Sequence, residues 1–196
     1  ARLNGAAVGV LASDCQQLGG AVDSDAADKA TRFLGLCNRC GLPVISFVDT
    51  PGFMVGPASE QEAAVHRMAA LFERAATLRV PLLAVFLRKA YGLGAMALVG
   101  GSFAVPDFAV AWPTGEFGGM GLEGAVRLGF RKELDAEPGG GAREALFNRL
   151  VAEMYEKGKA LEAAAHLEID AVIDPAETRS QLINALDGRR ASPDSH

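Results

Sequence analysis

Residues Leu82–Gly101, Leu-Leu-Ala-Val-Phe-Leu-Arg-Lys-Ala-Tyr-Gly-Leu-Gly-Ala-Met-Ala-Leu-Val-Gly-Gly, decide the fold. They read as a buried strand over Leu82–Leu87, a short basic and glycine turn, and then an apolar helix. An unbroken apolar run without alternation is the pattern of a strand covered on both faces. The helix start presents free backbone N–H groups at the strand's carboxyl end, a place suited to negative charge on a ligand or developing in a reaction.

The same order of signals occurs twice. Val80-Pro81 resets the chain into this strand, as Leu42-Pro43 does before the shorter apolar strand Val44–Val48. A helix precedes each proline. The first, Asp25–Cys40, carries Ala26, Ala30, Phe33, Leu34 and Cys37 on one face and stops at Gly41. The second, Glu60–Leu78, opens with a capping box of Ser59 and Glu62 and carries Ala64, Met68, Leu71, Phe72 and Ala75. This weak repeat predicts stacked turns of strand and helix in an α/β fold.

Elsewhere Val8–Ala12 reads as a strand, Ser13–Ala21 as a loop, and Phe108–Ala111 as a strand ended by Trp112-Pro113. Gly115–Gly124 is a glycine-rich turn leading to a helix over Leu122–Phe130. Asp135–Gly141 reads as a flexible loop. The helix Ala142–Lys157 turns Leu146, Leu150 and Met154 inward, and Ala171–Ile173 is a short strand. Asp174-Pro175-Ala176-Glu177 combines a cap, a first-position proline and an early glutamate, a strong helix start. One domain is expected over residues 1–190, with 191–196 as a disordered tail.

The composition of the 196 residues is that of a soluble globular domain, 49% hydrophobic and 22% charged. A chain of this length buries roughly 70% of its unfolded surface. A formal net charge of −5 argues against nucleic acid as the main partner. No apolar run reaches membrane-spanning length and no signal peptide is visible, so a cytoplasmic protein is expected. The first residue is Ala1, and Ala1–Val10 already reads as a strand with no lead-in, as in a piece of a longer polypeptide. Cys15, Cys37 and Cys40 are an odd, sparse set that fits a reducing compartment. Cys37-x-x-Cys40 has neither a second pair nor a nearby histidine, and reads as packed thiols rather than a redox or metal motif, so no metal site is expected.

Most motif matches lack their context. Gly92-x-Gly94-x-x-Ala97 resembles a dinucleotide turn, but Arg88 and Lys89 intervene and no acidic residue ends a following strand. Asp49-Thr50-Pro51-Gly52 resembles a nucleotide-switch element with no phosphate loop before it. No serine stands in a nucleophile turn, and His66, His166 and His196 read as surface residues. Glu116 and Glu123 sit in the glycine-rich loop and are a candidate acid/base pair, with solvated or capping carboxylates as the plainer reading. What is left is the backbone at Tyr91–Ala95. Peptide N–H groups there can stabilise an oxyanion with no catalytic side chain, each contributing about 3 kcal/mol. A glycine turn present only for packing is the alternative on these residues alone.

Several segments in order resemble one family. They are Ala1-Arg2-Leu3-Asn4-Gly5, Val48-Asp49-Thr50-Pro51-Gly52-Phe53, Arg88-Lys89-Ala90-Tyr91-Gly92, Ala111-Trp112-Pro113-Thr114, Gly124-Ala125-Val126 with Phe130-Arg131-Lys132-Glu133, and Asp174-Pro175-Ala176-Glu177-Thr178-Arg179. The chain resembles the C-terminal half of the carboxyltransferase (beta) subunit of biotin-dependent acyl-CoA carboxylases, of the propionyl-CoA and methylcrotonyl-CoA carboxylase type, from Ala1 to about Leu186.

That resemblance implies a ClpP/crotonase-like superhelix of strand–strand–helix turns. It implies a domain that binds carboxybiotin, carried on a partner, while an N-terminal domain of the family binds acyl-CoA. The implied oxyanion hole is the backbone N–H pair of Leu93 and Gly94. Tyr91, Gly92, Ala95 and Thr114 fall at biotin-contacting positions, and Met96 at one linked to acyl-chain choice. Implied partners are an N-terminal carboxyltransferase domain, a biotin carboxylase and biotin carrier, and further copies in an oligomer. A fragment alone is expected to be inactive. A biotin-dependent decarboxylase subunit and a diverged, non-catalytic assembly domain are the alternatives. The usual Tyr-Gly-Gly-Ala run reads Tyr91-Gly92-Leu93-Gly94 here, so Leu93 must adopt the geometry of a glycine turn. Met68 stands within His66-Arg67-Met68-Ala69, where the family packs closely.

Overall fold

A computed structural model describes residues 1–57, 64–137 and 139–191. Five strands lie side by side, all parallel: β3 (Gly9–Ala12), β4 (Val44–Thr50), β5 (Leu82–Tyr91), β6 (Phe108–Ala111) and β8 (Ala171–Val172). A sixth, β7 (Glu116–Gly118), pairs in parallel with the far end of β5. A small antiparallel pair, β1 (Arg2–Leu3) with β2 (Ala6–Ala7), precedes the sheet.

Parallel neighbours need crossovers, and the helices supply them. Helix α1 (Ser24–Arg39) joins β3 to β4, and α2 (Ala64–Ala76) lies between β4 and β5. Asp23 caps α1 by accepting the N–H of Ala26 at 2.8 Å, which satisfies one of the donors a helix start leaves free. Short α3 (Gly92–Ala97) leaves β5 directly, so the expected stacking of strand and helix turns is present.

β5 is central, and its two faces explain its unbroken apolar run. Leu82, Ala84 and Phe86 pack with Leu34 of α1 and Leu71 of α2. Leu83 and Val85 pack on the other face with Ile173 and with Leu182 and Leu186 of the last helix, α8 (Thr178–Ala191). Side chains alternate across a strand, so a strand covered on both sides is apolar at every position. A third cluster joins Val126 of α4 (Leu122–Gly129), Leu134 of α5 (Arg131–Ala136) and Leu150 of α6 (Gly141–Lys157). Helix α7 (Ala160–Ala165) follows at once.

The structure differs from the expected elements at several points, and tertiary partners account for the first two. β5 continues through Arg88-Lys89-Ala90-Tyr91, because Asp49 takes the Arg88 guanidinium and the backbone N–H of Lys89 and new strand partners take over: Thr50 faces Ala90, and β7 faces Lys89–Tyr91. The glycine-rich turn contains β7, whose three residues are too few to show a period in sequence. Asp135 and Ala136 end a helix rather than start a loop. Phe130 (φ −111°, ψ 27°) separates α4 from α5. Asp174 caps as expected, its carboxylate accepting the N–H of Ala176, but a short 3-10 turn over Pro175–Glu177 comes before α8. Ala191 closes α8, while residues 192–196 and the capping box of Ser59 and Glu62 lie outside the described residues.

Candidate functional site

The carboxyl end of β5 is fixed from two sides. On one, Asp49 at the end of β4 is only 8% exposed and accepts the N–H of Lys89 at 3.1 Å. Arg88 meets the same carboxylate at 3.3 Å, and this carboxylate raises the pKa of the guanidinium above its ordinary value. Cys15 donates its thiol to Asp49 at 3.1 Å; burial first, and then that carboxylate, push the thiol pKa up. Thr50 then accepts the N–H of Gly52. The strand end thus delivers Gly52-Phe53 against α3. A Cβ on Gly94 would stand 2.5 Å from the carbonyl carbon of Gly52 and 2.6 Å from the nitrogen of Phe53, so only glycine fits there.

On the other side lies β7. Tyr91 is 3% exposed, and its hydroxyl donates to Glu116 at 2.6 Å. Burial first, and then the Glu116 carboxylate, raise the phenol far above its usual value, so Tyr91 remains a donor. Gly92 has φ 61°, a left-handed turn, and a Cβ there would lie 2.9 Å from the carbonyl oxygen of Gly119. The turn is held between two pieces of backbone.

Tyr91 stands at the N-cap of α3 but offers no side-chain cap. Among the loop, turn and side-chain bonds of the described residues none takes the N–H of Leu93 or Gly94. First-turn donors of this kind are the ones a helix cannot satisfy internally. Leu93 has no positive φ, so the glycine-like turn falls on Gly92 alone and Leu93 enters the helix with its side chain 62% exposed.

A cavity of about 430 Å³ opens beside this turn, bounded by Gly92, Leu93 and Gly119. Met96 and the nearly buried Phe103 and Phe117 form its apolar part, and Lys157, Glu162, His166 and Glu168 its polar part. Phe103 and Phe117 of this wall pack edge to face with each other and with the fully buried Phe86, centroids 5.0 to 5.3 Å apart.

The structure thus brings Gly92, Leu93 and Met96 to one cavity. Gly94 adjoins it but is buried against the Gly52 loop, Ala95 is fully buried, and Tyr91 has committed its hydroxyl. Thr114 is exposed and does not line the cavity, its hydroxyl donating to the carbonyl of Leu87. Glu116 and Glu123 each accept from a tyrosine, Tyr91 and Tyr155 respectively. Cys37 is buried, and its thiol pKa is raised by burial, whereas Cys40 is exposed. His66 and His166 are exposed. Sequence reasoning missed Phe103, Phe117 and the polar residues of α6, α7 and the turn beyond. Nothing in their spacing marks them, because the fold gathers them from separate elements.

Residues 1–193 match the family model described as the carboxyl transferase domain. The chain belongs to this family. As a carboxyl transferase domain it is 38% identical over 186 residues to the biotin-dependent acetyl-/propionyl-coenzyme A carboxylase beta6 subunit of Mycobacterium tuberculosis, covering 94% of this chain and 39% of that protein. It superposes on a single-chain, multi-domain long-chain acyl-CoA carboxylase with a TM-score of 0.83 and 54% identity, over 94% of this chain and 18% of that one. On the transcarboxylase 12S structure, described as a hexamer assembly with methylmalonyl-coenzyme A and methylmalonic acid bound, the TM-score is 0.90 and the identity 32%, over 100% of this chain and 37% of that one. The carboxyl transferase domain therefore has the expected crotonase-like α/β fold, and it spans well under half the length of these relatives. Among its described residues no helix is long and apolar enough to cross a membrane.

Proposed function

We propose that this chain is the carboxybiotin-binding half of an acyl-CoA carboxyltransferase, and that the N–H groups of Leu93 and Gly94 stabilise the ureido oxyanion. The observation that carries the reading is that the described residues supply no acceptor for the N–H groups of Leu93 and Gly94, at a turn whose Gly92 and Leu93 line a cavity with an apolar wall. The residues suit biotin: Gly92 and Gly119 put no side chain between backbone and cavity, and Met96, Phe103 and Phe117 offer apolar surface to a fused ring.

When bound, carboxybiotin supplies the carboxyl group and leaves negative charge on its ureido oxygen. The chain's own part is positional. The N–H donors are fixed before the charge develops, because Gly52 backs Gly94 and Gly119 backs Gly92. The apolar wall of Phe103 and Phe117 lowers the local dielectric and strengthens those donors. No acid or base side chain is required of this half, because cofactor and substrate carry the reacting atoms.

Met96 brings an apolar group to the reacting end of the acyl chain, and the 54% identity to a long-chain acyl-CoA carboxylase supports a long aliphatic acyl group as substrate. The partners in this reading are an acyl-CoA-binding carboxyltransferase domain, a biotin carboxylase with its carrier, and further copies in an oligomer. Cytoplasmic placement belongs to the same proposal. Titration of the isotope-labelled chain with free biotin tests the site. The amide resonances of Leu93 and Gly94 are expected to shift with saturation. An unchanged spectrum at these residues under saturating biotin overturns the assignment.

A further inference from the structure

The glycine turn carries the donors, and besides the Gly52 and Gly119 backbone that closes on it, a side-chain pair holds its start. In the parallel register Tyr91 faces Gly118 and Lys89 faces Glu116, so Tyr91 and Glu116 lie on the same face, two positions out of step. Gly118 has no side chain. The Tyr91 ring lies across it, 3.6 Å from where its Cβ would be, and reaches Glu116 at 2.6 Å.

Glu116 is itself anchored from behind. Phe117 donates its N–H to Gly158 at 2.7 Å, and Ala160 donates to Gly115 at 3.0 Å, which clamps β7 to the junction of α6 and α7. Across that junction Glu116 also bridges to Lys159 in antiparallel fashion. The next residue after Tyr91 is Gly92, the left-handed turn whose free side meets Gly119, the residue that follows β7.

From this we infer that Glu116 is a positioning residue: through its hydrogen bond to Tyr91 it locks the Gly92 turn and thereby aims the N–H groups of Leu93 and Gly94. The inference rests on the proposed function for the use of those donors, but the lock itself is a property of the fold. Glu116 touches no reacting atom. Its carboxylate is an acceptor for a buried phenol, a charge-assisted bond of the stronger kind. Without it the phenol loses its partner inside the protein, and the turn loses its fixed end.

Amide resonances and biotin affinity of the 196-residue chain test this in one set of spectra. Glu116→Ala and Tyr91→Phe are each expected to move or broaden the resonances of Gly92, Leu93 and Gly94 and to weaken biotin binding about tenfold. The double variant is expected to be no worse than either single one, because both remove one bond. Glu116→Gln keeps an acceptor oxygen and is expected to restore affinity to within about threefold of wild type. The lock is overturned if Glu116→Ala leaves the three resonances unchanged, or if Gln is as impaired as Ala. It is equally overturned if shifts spread evenly over the sheet with a lowered unfolding midpoint, the mark of a merely structural contact. Should Glu116→Ala not fold, Tyr91→Phe, which keeps the ring, decides. A wild-type chain that ignores biotin sinks the proposed function instead, and the variants' resonances at 92–94 still judge the lock.

Discussion

At the scale of single residues, Gly94 and Leu93 differ sharply although they adjoin. Gly94 is buried with the Gly52 backbone at 2.5 Å from any added Cβ, and backbone on a fixed loop cannot step aside. Gly94→Ala is therefore expected to cost about 1–3 kcal/mol, as overpacking does, and to abolish the amide response to biotin. Leu93 has ordinary helical backbone and a largely exposed side chain. Leu93→Ala is expected to change stability by no more than about 0.5 kcal/mol and to keep the response. Chemical denaturation of both variants checks the pair, and equal losses would refute this account of the turn. The sequence raised the right question about Leu93, whether a leucine can take a glycine's place. It left open the answer, because the left-handed angle belongs to Gly92 and that is decided by the contact with Gly119.

At the scale of elements, β5 and β7 are joined by the Tyr91–Glu116 bond, and the joint carries a pH signature. The folded state raises the phenol pKa, so it holds the Tyr91 proton more tightly than the unfolded chain does. The stabilisation is then fully present below the unfolded pKa of about 10 and is lost as pH rises beyond it towards the folded value. Stability measured by denaturant across the alkaline range is expected to fall more steeply in wild type than in Tyr91→Phe. Parallel curves would show that Tyr91 titrates alike in both states. The thiols of Cys15 and Cys37, also raised, begin a similar decline at lower pH in both proteins and cancel from the comparison. Element by element, the longer pieces were legible in sequence. Helix α1 buries Ala30, Leu34 and Cys37 of its expected face, α2 buries Ala64, Leu71 and Ala75, and α6 turns Leu150 inward. β7 was not legible. It is a strand only because β5 offers it an edge beyond β6, and such a partner leaves no mark in three residues of local pattern.

At the scale of the whole molecule, in the proposed reading this chain supplies the N–H donors and the cavity beside them and leaves acyl-CoA binding to a partner domain. Incubated alone with free biotin and methylmalonyl-CoA it is expected to show no decarboxylation above background. Clear turnover, followed as loss of methylmalonyl-CoA, would sink the half-site reading. What the sequence by itself determined is the part governed by neighbours along the chain. Apolar runs after Pro43 and Pro81 become strands, helix faces keep their period, Asp23 and Asp174 cap, and the ordered motifs announce the family. The tertiary structure decided what those pieces do to one another. Asp49 turns Arg88 and Lys89 from a loop into strand, Gly52 and Gly119 close on the turn from both sides, and Glu116 becomes the anchor of Tyr91 rather than a solvated carboxylate. The physical reason is the range of the forces. Propensity, capping and hydrophobic period act within a few residues and are written locally. A close backbone approach or a part-buried hydrogen bond between residues 25 apart exists only when the sheet has brought them together.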